Sequence, residues 1–173
     1  MDVIRYAAAA CQTALPNPLS RRDMGPNTDR MLAMIDSALA GSAPFLPVRL
    51  VVFPEFAHAA PVFAAVEELL EKLAIPIPNE HTERLAAKAR EHGIYIQTGT
   101  MLEADSQWPG VVFNTTCLLG PEGIFYKYRK LLDGREQVPG AREHCLRGCR
   151  QPGHEPHAVS PVLVVRRQSD HRL

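Results

Sequence analysis

All six Phe, all four Tyr and the single Trp of this 173-residue chain lie before residue 134, so the side chains able to build a large core are confined to residues 1–133. A segment without such side chains cannot offset the entropy of ordering by burial. Residues 134–173 also hold seven Arg, four His and no Lys against four acidic residues, so they are net positive although the whole chain balances 19 basic against 19 acidic groups. The expected organisation is one folded domain over 1–133 and an irregular or disordered tail over 134–173. In that tail only Val162-Leu163-Val164-Val165 has the character of a strand.

The zero net charge removes the electrostatic footprint of a general nucleic-acid binder, and no apolar run approaches the roughly 20 residues of a membrane-spanning helix. Neither nucleic acid nor membrane is an expected partner. Four cysteines, at positions 11, 117, 145 and 149, are too sparse for a disulfide scaffold, which fits a reducing, cytoplasmic setting. Ala7 to Ala10 ahead of Cys11 has a faint look of a lipoprotein cleavage site, but the apolar run is short and only Arg5 precedes it, so a strand is the better reading.

The periodicity predicts an α/β protein. Residues 3–12 and Val48 to Phe53 are apolar runs stopped by prolines, as buried strands are. Between them Met31, Ile35, Ala38 and Leu39 share one helical face, with Asn27 or Thr28 placed to cap the helix and Gly41 to end it. Val62, Val66, Leu69, Leu70 and Leu73 predict a second helix, starting after Pro61. Asn79 caps a third, lined by Leu85, Ala86, Ala89 and His92 and closed by Gly93. Residues 94–101 alternate with a period of two, and the runs 111–119 and 124–128 flank the turn Gly120-Pro121-Glu122-Gly123 as a hairpin. The last three strands are expected to pair antiparallel, with the helices covering one sheet face.

Two residues carry candidate chemistry. Glu55 follows the second strand between Phe53 and Phe56, an apolar setting expected to desolvate its carboxylate and raise its pKa toward the range of a general base. The plainer alternative is an exposed glutamate at a strand end. Lys130 ends the basic run Tyr126-Lys127-Tyr128-Arg129-Lys130, which by itself reads as a solvated, aggregation-blocking edge.

Three separated segments change this reading: Phe53-Pro54-Glu55, the strand from Gly93 to Gly99, and the stretch from Asn114-Thr115 through Gly120-Pro121-Glu122-Gly123 to Tyr128-Arg129-Lys130. In this order and spacing the chain resembles the nitrilase superfamily of carbon-nitrogen hydrolases over residues 3–132. The resemblance implies an α-β-β-α sandwich, here incomplete, assembled into dimers or larger oligomers. It implies a Glu-Lys-Cys mechanism on a small amide, nitrile or N-carbamoyl substrate, without metal or organic cofactor. Glu55 matches the general base, and Lys130 matches the lysine that stabilises the tetrahedral intermediate.

The nucleophile has no match. The family places it several tens of residues past the lysine, after an apolar strand and before an aromatic and an acid, whereas Cys145 and Cys149 follow Lys130 by 15 and 19 residues without that context. Cys11 and Cys117 fall on core strands. Glu136 and Glu143 are no secure match for the family's second glutamate. The leading expectation is therefore the N-terminal part of such a hydrolase, inactive or weakly active, joined to an unrelated tail by truncation or a frame change. The alternative is a non-catalytic binding or scaffold protein that holds zinc through Cys145, Cys149, His154 and His157. A third reading, an unrelated α/β ligand-binding domain, requires Glu55 and Lys130 to lie far apart. Half a sandwich also leaves one apolar sheet face uncovered, which leads to self-association, aggregation or cover by the tail.

Overall fold

A computed structural model describes residues 5–130. They form β1 (Ala7–Ala10), a short 3-10 turn (Arg21–Met24), α1 (Gly25–Ser42), β2 (Val48–Val52), α2 (Val66–Lys72), α3 (Glu80–His92), β3 (Tyr95–Ala104), β4 (Val112–Gly120) and β5 (Gly123–Arg129). The five strands make one sheet in sequence order. β1, β2 and β3 are parallel, whereas β3, β4 and β5 form an antiparallel meander. The predicted element order and the antiparallel last three strands are both present. β4 alone therefore runs against the other four strands, and the C-terminal ends of β2 and β5 open on the same edge of the sheet.

The helix-side core explains most of this arrangement. Met31 and Ile35 of α1 and Leu85, Ala86 and Ala89 of α3 pack with Val51, Ile96, Met101, Cys117 and Leu119 of the sheet. Each fully buried large aliphatic side chain there contributes about 1.5–3 kcal/mol. α3 is bounded as its sequence indicates: Asn79 Oδ1 accepts from the His81 and Thr82 backbone N–H groups, and Gly93 takes a left-handed φ of 61° at the C-terminus.

Several boundaries differ from expectation for identifiable reasons. α1 starts at Gly25 with Pro26 in its first turn, so Asn27 and Thr28 are buried inside the helix rather than capping it. Their side chains serve tertiary contacts instead: Asn27 Nδ2 donates to the His58 carbonyl, and Thr28 Oγ1 meets His81 Nδ1 at 2.9 Å. α2 covers only Val66–Lys72, because the chain from Ile75 bridges to Glu103 beside β3 and cannot remain helical. β1 is shorter than its apolar run, and β3 continues to Ala104. His92 is exposed and approaches Asp36 at 3.4 Å, where the sequence had placed it on the buried side.

The other sheet face carries Leu50, Val52, Tyr95, Gln97, Leu118 and Tyr126, neighbours by strand register. Among the described residues none of these six is fully buried, and Tyr95 and Tyr126 are 40% and 44% exposed. Farther along this face a second apolar cluster joins Leu102, Ala104 and Val112 to Leu69, Leu73 and Ile75.

Candidate active site

The site is built where β2 ends. Phe53 still donates its N–H to Gln97, and its ring is buried in the helix-side core. The chain then turns at Pro54 and leans across β3. This crossing requires Gly99: it has a φ of 74°, and a Cβ there would overlap the Pro54 carbonyl oxygen. Gly99 also sits where the β3–β4 register slips, between Gln97 and Thr100. Phe56, at a φ of 56°, is the only non-glycine residue with positive φ among those described, and its N–H is held by Thr100 Oγ1 at 3.0 Å. A strained backbone position beside a carboxylate is characteristic of functional turns.

The crossing delivers Glu55 to β4 and to the end of β5. Glu55 Oε1 accepts from Lys130 Nζ at 2.7 Å and from Asn114 Nδ2 at 2.9 Å. Lys130 is fixed in turn by its backbone N–H, which donates to the Asn114 carbonyl at 2.8 Å. The two residues singled out from the sequence, 75 positions apart, thus form one ion pair, which removes the reading that needed them apart. Asn114 is the group that sequence reasoning did not assign to the site, although it stood within one of the recognised segments.

The environment of Glu55 corrects the expectation of burial. Its side chain is 45% exposed and that of Lys130 49%. Phe53 points into the core and Phe56 packs toward the second cluster, so the flanking rings leave the carboxylate uncovered. Hydrogen bonds from Lys130 and then Asn114 hold its pKa below the ordinary glutamate value, instead of burial raising it. Glu55 is therefore ionised at neutral pH and able to accept a proton.

The thiols lie elsewhere. Cys117 is fully buried in the helix-side core, where burial and the charge of Glu103 push its pKa to about 11. Cys11 is half-buried just after β1, and its pKa is likewise raised by burial. Cys145, Cys149, His154, His157, Glu136 and Glu143 lie outside the described residues, as does the strand expected at 162–165. Among the described residues no group of three His, Cys, Asp or Glu side chains is arranged to hold a metal ion, and no helix is long and apolar enough to cross a membrane.

Comparison with known proteins decides the family. A family model described as Carbon-nitrogen hydrolase matches residues 7–163. This chain belongs to the carbon-nitrogen hydrolase family. Within that family it is 43% identical to Omega-amidase NIT2 of Xenopus tropicalis over 65 residues, and 39% identical to Nitrilase of Pyrococcus abyssi over 84 residues. These matches cover 37% and 48% of this chain, but only 22% and 30% of the two relatives. The crystal structure of an N-terminal amidase with an Asn-Glu-Ala peptide superposes with a TM-score of 0.56 at 21% identity, over 73% of this chain and 28% of that one. The described residues thus share the fold of nitrilase-superfamily structures, and the family match continues to residue 163, beyond the 3–132 expected from the resemblance.

Proposed function

We propose that this chain supplies the Glu-Lys part of a hydrolase site acting on non-peptide carbon-nitrogen bonds in a small amide, nitrile or N-carbamoyl compound. Glu55 is the general base and Lys130 stabilises the tetrahedral intermediate. The observation that carries the proposal is the 2.7 Å contact between Glu55 Oε1 and Lys130 Nζ at the C-terminal edge of the sheet, in a chain of this family. Ligands of open α/β sheets bind at that edge.

The chemistry follows from charge. An attacking thiol must lose its proton, and the ionised Glu55 is the acceptor. As the thiolate adds, making a carbonyl carbon tetrahedral or a nitrile carbon trigonal, negative charge develops on the former carbonyl oxygen or nitrile nitrogen, and the Lys130 ammonium lies beside the base to stabilise it. Removing such a group typically costs 10²- to 10³-fold in rate. Lys130 also keeps Glu55 ionised before the reaction begins.

No thiol pairs with Glu55 among the described residues, and neither Cys145 nor Cys149 stands in the sequence setting of the family's nucleophile. The chain by itself is therefore inactive or weakly active. Ammonia release should be followed for the purified chain with amide, nitrile and N-carbamoyl substrates, together with intact mass to detect an acyl adduct. The expected outcome is turnover at or near the blank and no adduct. Any residual turnover should fall to the blank in Glu55→Gln and in Lys130→Met; turnover indifferent to both would overturn the roles assigned. Robust turnover abolished by alkylating Cys145 or Cys149 would overturn the inference that a nucleophile is lacking.

A further inference from the structure

On the opposite side of the sheet from the Glu55–Lys130 pair lies a buried carboxylate that the proposed chemistry does not use. Glu103 of β3 is only 2% exposed, on the sheet face whose core residues Met101 and Cys117 pack against α1 and α3. Its Oε2 accepts from Thr115 Oγ1 at 2.6 Å and Arg129 Nε at 2.8 Å, and its Oε1 accepts from Lys127 Nζ at 2.7 Å and Arg129 Nη2 at 2.9 Å. Arg129 also pairs with Asp105 and lies over the Phe113 ring, 4.0 Å from its centroid. Burial alone would raise the pKa of Glu103. The hydrogen bonds from Arg129, Lys127 and Thr115 outweigh it and hold the group ionised.

The position of this network matters more than its contribution to stability. Thr115 and Arg129 are register partners, as are Cys117 and Lys127, so Glu103 fastens the open end of the hairpin, away from its turn. Arg129 is the final residue of β5, and Lys130 follows it. Because successive side chains of a strand point to opposite faces, anchoring Arg129 on the helix side sets where Lys130 emerges on the other. An Arg-carboxylate fork fixes direction as well as distance, which a single-point contact does not. Lys130 itself is half exposed and has a long, flexible stem.

We propose that Glu103 is a positioning residue: through its fork with Arg129 it fixes the end of β5 and thereby holds Lys130 against Glu55. The inference rests on the reading of Lys130 as part of the site, and it adds a residue that contacts neither substrate nor reacting atoms.

The test is the titration of the Glu55 side chain by carbon-detected NMR in the full chain, compared among wild type, Lys130→Met and Glu103→Gln. Lys130→Met shows how far the Glu55 pKa rises when the ammonium is absent. Glu103→Gln is expected to raise it in the same direction by at least half that amount, in a protein whose spectrum remains dispersed. A merely structural role would lower the unfolding midpoint and leave the Glu55 titration where it was, and that result would overturn the proposal. If Glu103→Gln does not fold, Arg129→Lys keeps the charge, removes the fork and is read by the same criterion. If Lys130→Met itself leaves the Glu55 titration unchanged, the pair is not formed in solution; the reading of the site then fails, and this proposal with it.

Discussion

Replacing His58 by Gln should make the stability of this protein less sensitive to acid. His58 is 1% exposed, its ring lies 4.4 Å from that of His81, and Thr28 Oγ1 bridges them, 3.2 Å from His58 Nε2 and 2.9 Å from His81 Nδ1. A single hydroxyl has one proton to give, so with both rings neutral one ring donates to it and the other accepts. Burial, and then the charge of a protonated His81, push the pKa of His58 down to about 3 from the ordinary value of 6.5. Glu80 and Arg84 act on His81 with opposite signs, but burial dominates and its pKa is lowered too.

The sign is that of a base buried neutral. Above pH 6.5 both folded and unfolded chains carry neutral His58, and stability is independent of its titration. Between pH 6.5 and about 3 the unfolded chain binds the proton and the folded one does not, so stability falls with pH at about 1.4 kcal/mol per unit. Between pH 8 and pH 5 this amounts to about 2 kcal/mol, a substantial share of the 5–15 kcal/mol that stabilises a typical domain. Glutamine keeps a polar tip for Thr28 but does not titrate. Urea unfolding of wild type and His58→Gln at pH 8, 7, 6 and 5, at fixed ionic strength and protein concentration, should show wild type more stable at pH 8. That advantage should shrink by about 2 kcal/mol at pH 5. A difference that stays constant across this range, or widens in acid, would refute the reasoning.

Gly99→Ala places a methyl group against the Pro54 carbonyl at a positive φ, and should destabilise the chain by about 2 kcal/mol or more, lowering the thermal midpoint by at least about 5 °C. An unchanged midpoint would show that the crossing of β3 does not depend on glycine. The half-open sheet face, with Phe125 69% exposed beside Tyr95, should drive self-association that light scattering detects and Phe125→Lys reduces. A stable wild-type monomer would contradict that expectation.

Much of this architecture was legible because it depends on local periodicity. The alternation in β3 as far as Thr98, the Asn79 and Gly93 boundaries of α3 and the Gly120 to Gly123 turn are short-range signals that appear where the sequence places them, whereas the slip at Gly99 moves Met101 to the same face as Ile96. Asn27 and Thr28 were misread for a related reason: a residue with the right chemistry to cap a helix has the same chemistry for satisfying a buried histidine, and only the packing of α1 against α3 decides between them. Glu55 and Lys130 were recognisable as types at strand ends. Their meeting was implied by the family resemblance and not by periodicity, since it depends on β2 and β5 opening on one edge and on Gly99 letting one chain cross another. The exposure of Glu55 and the buried fork of Glu103 with Arg129 were likewise invisible to periodicity, because flanking rings do not reveal which way they point. A sequence specifies which faces are apolar and where elements begin and end; which polar groups then face one another across 75 residues is set by strand order and register, which exist only once the sheet has formed.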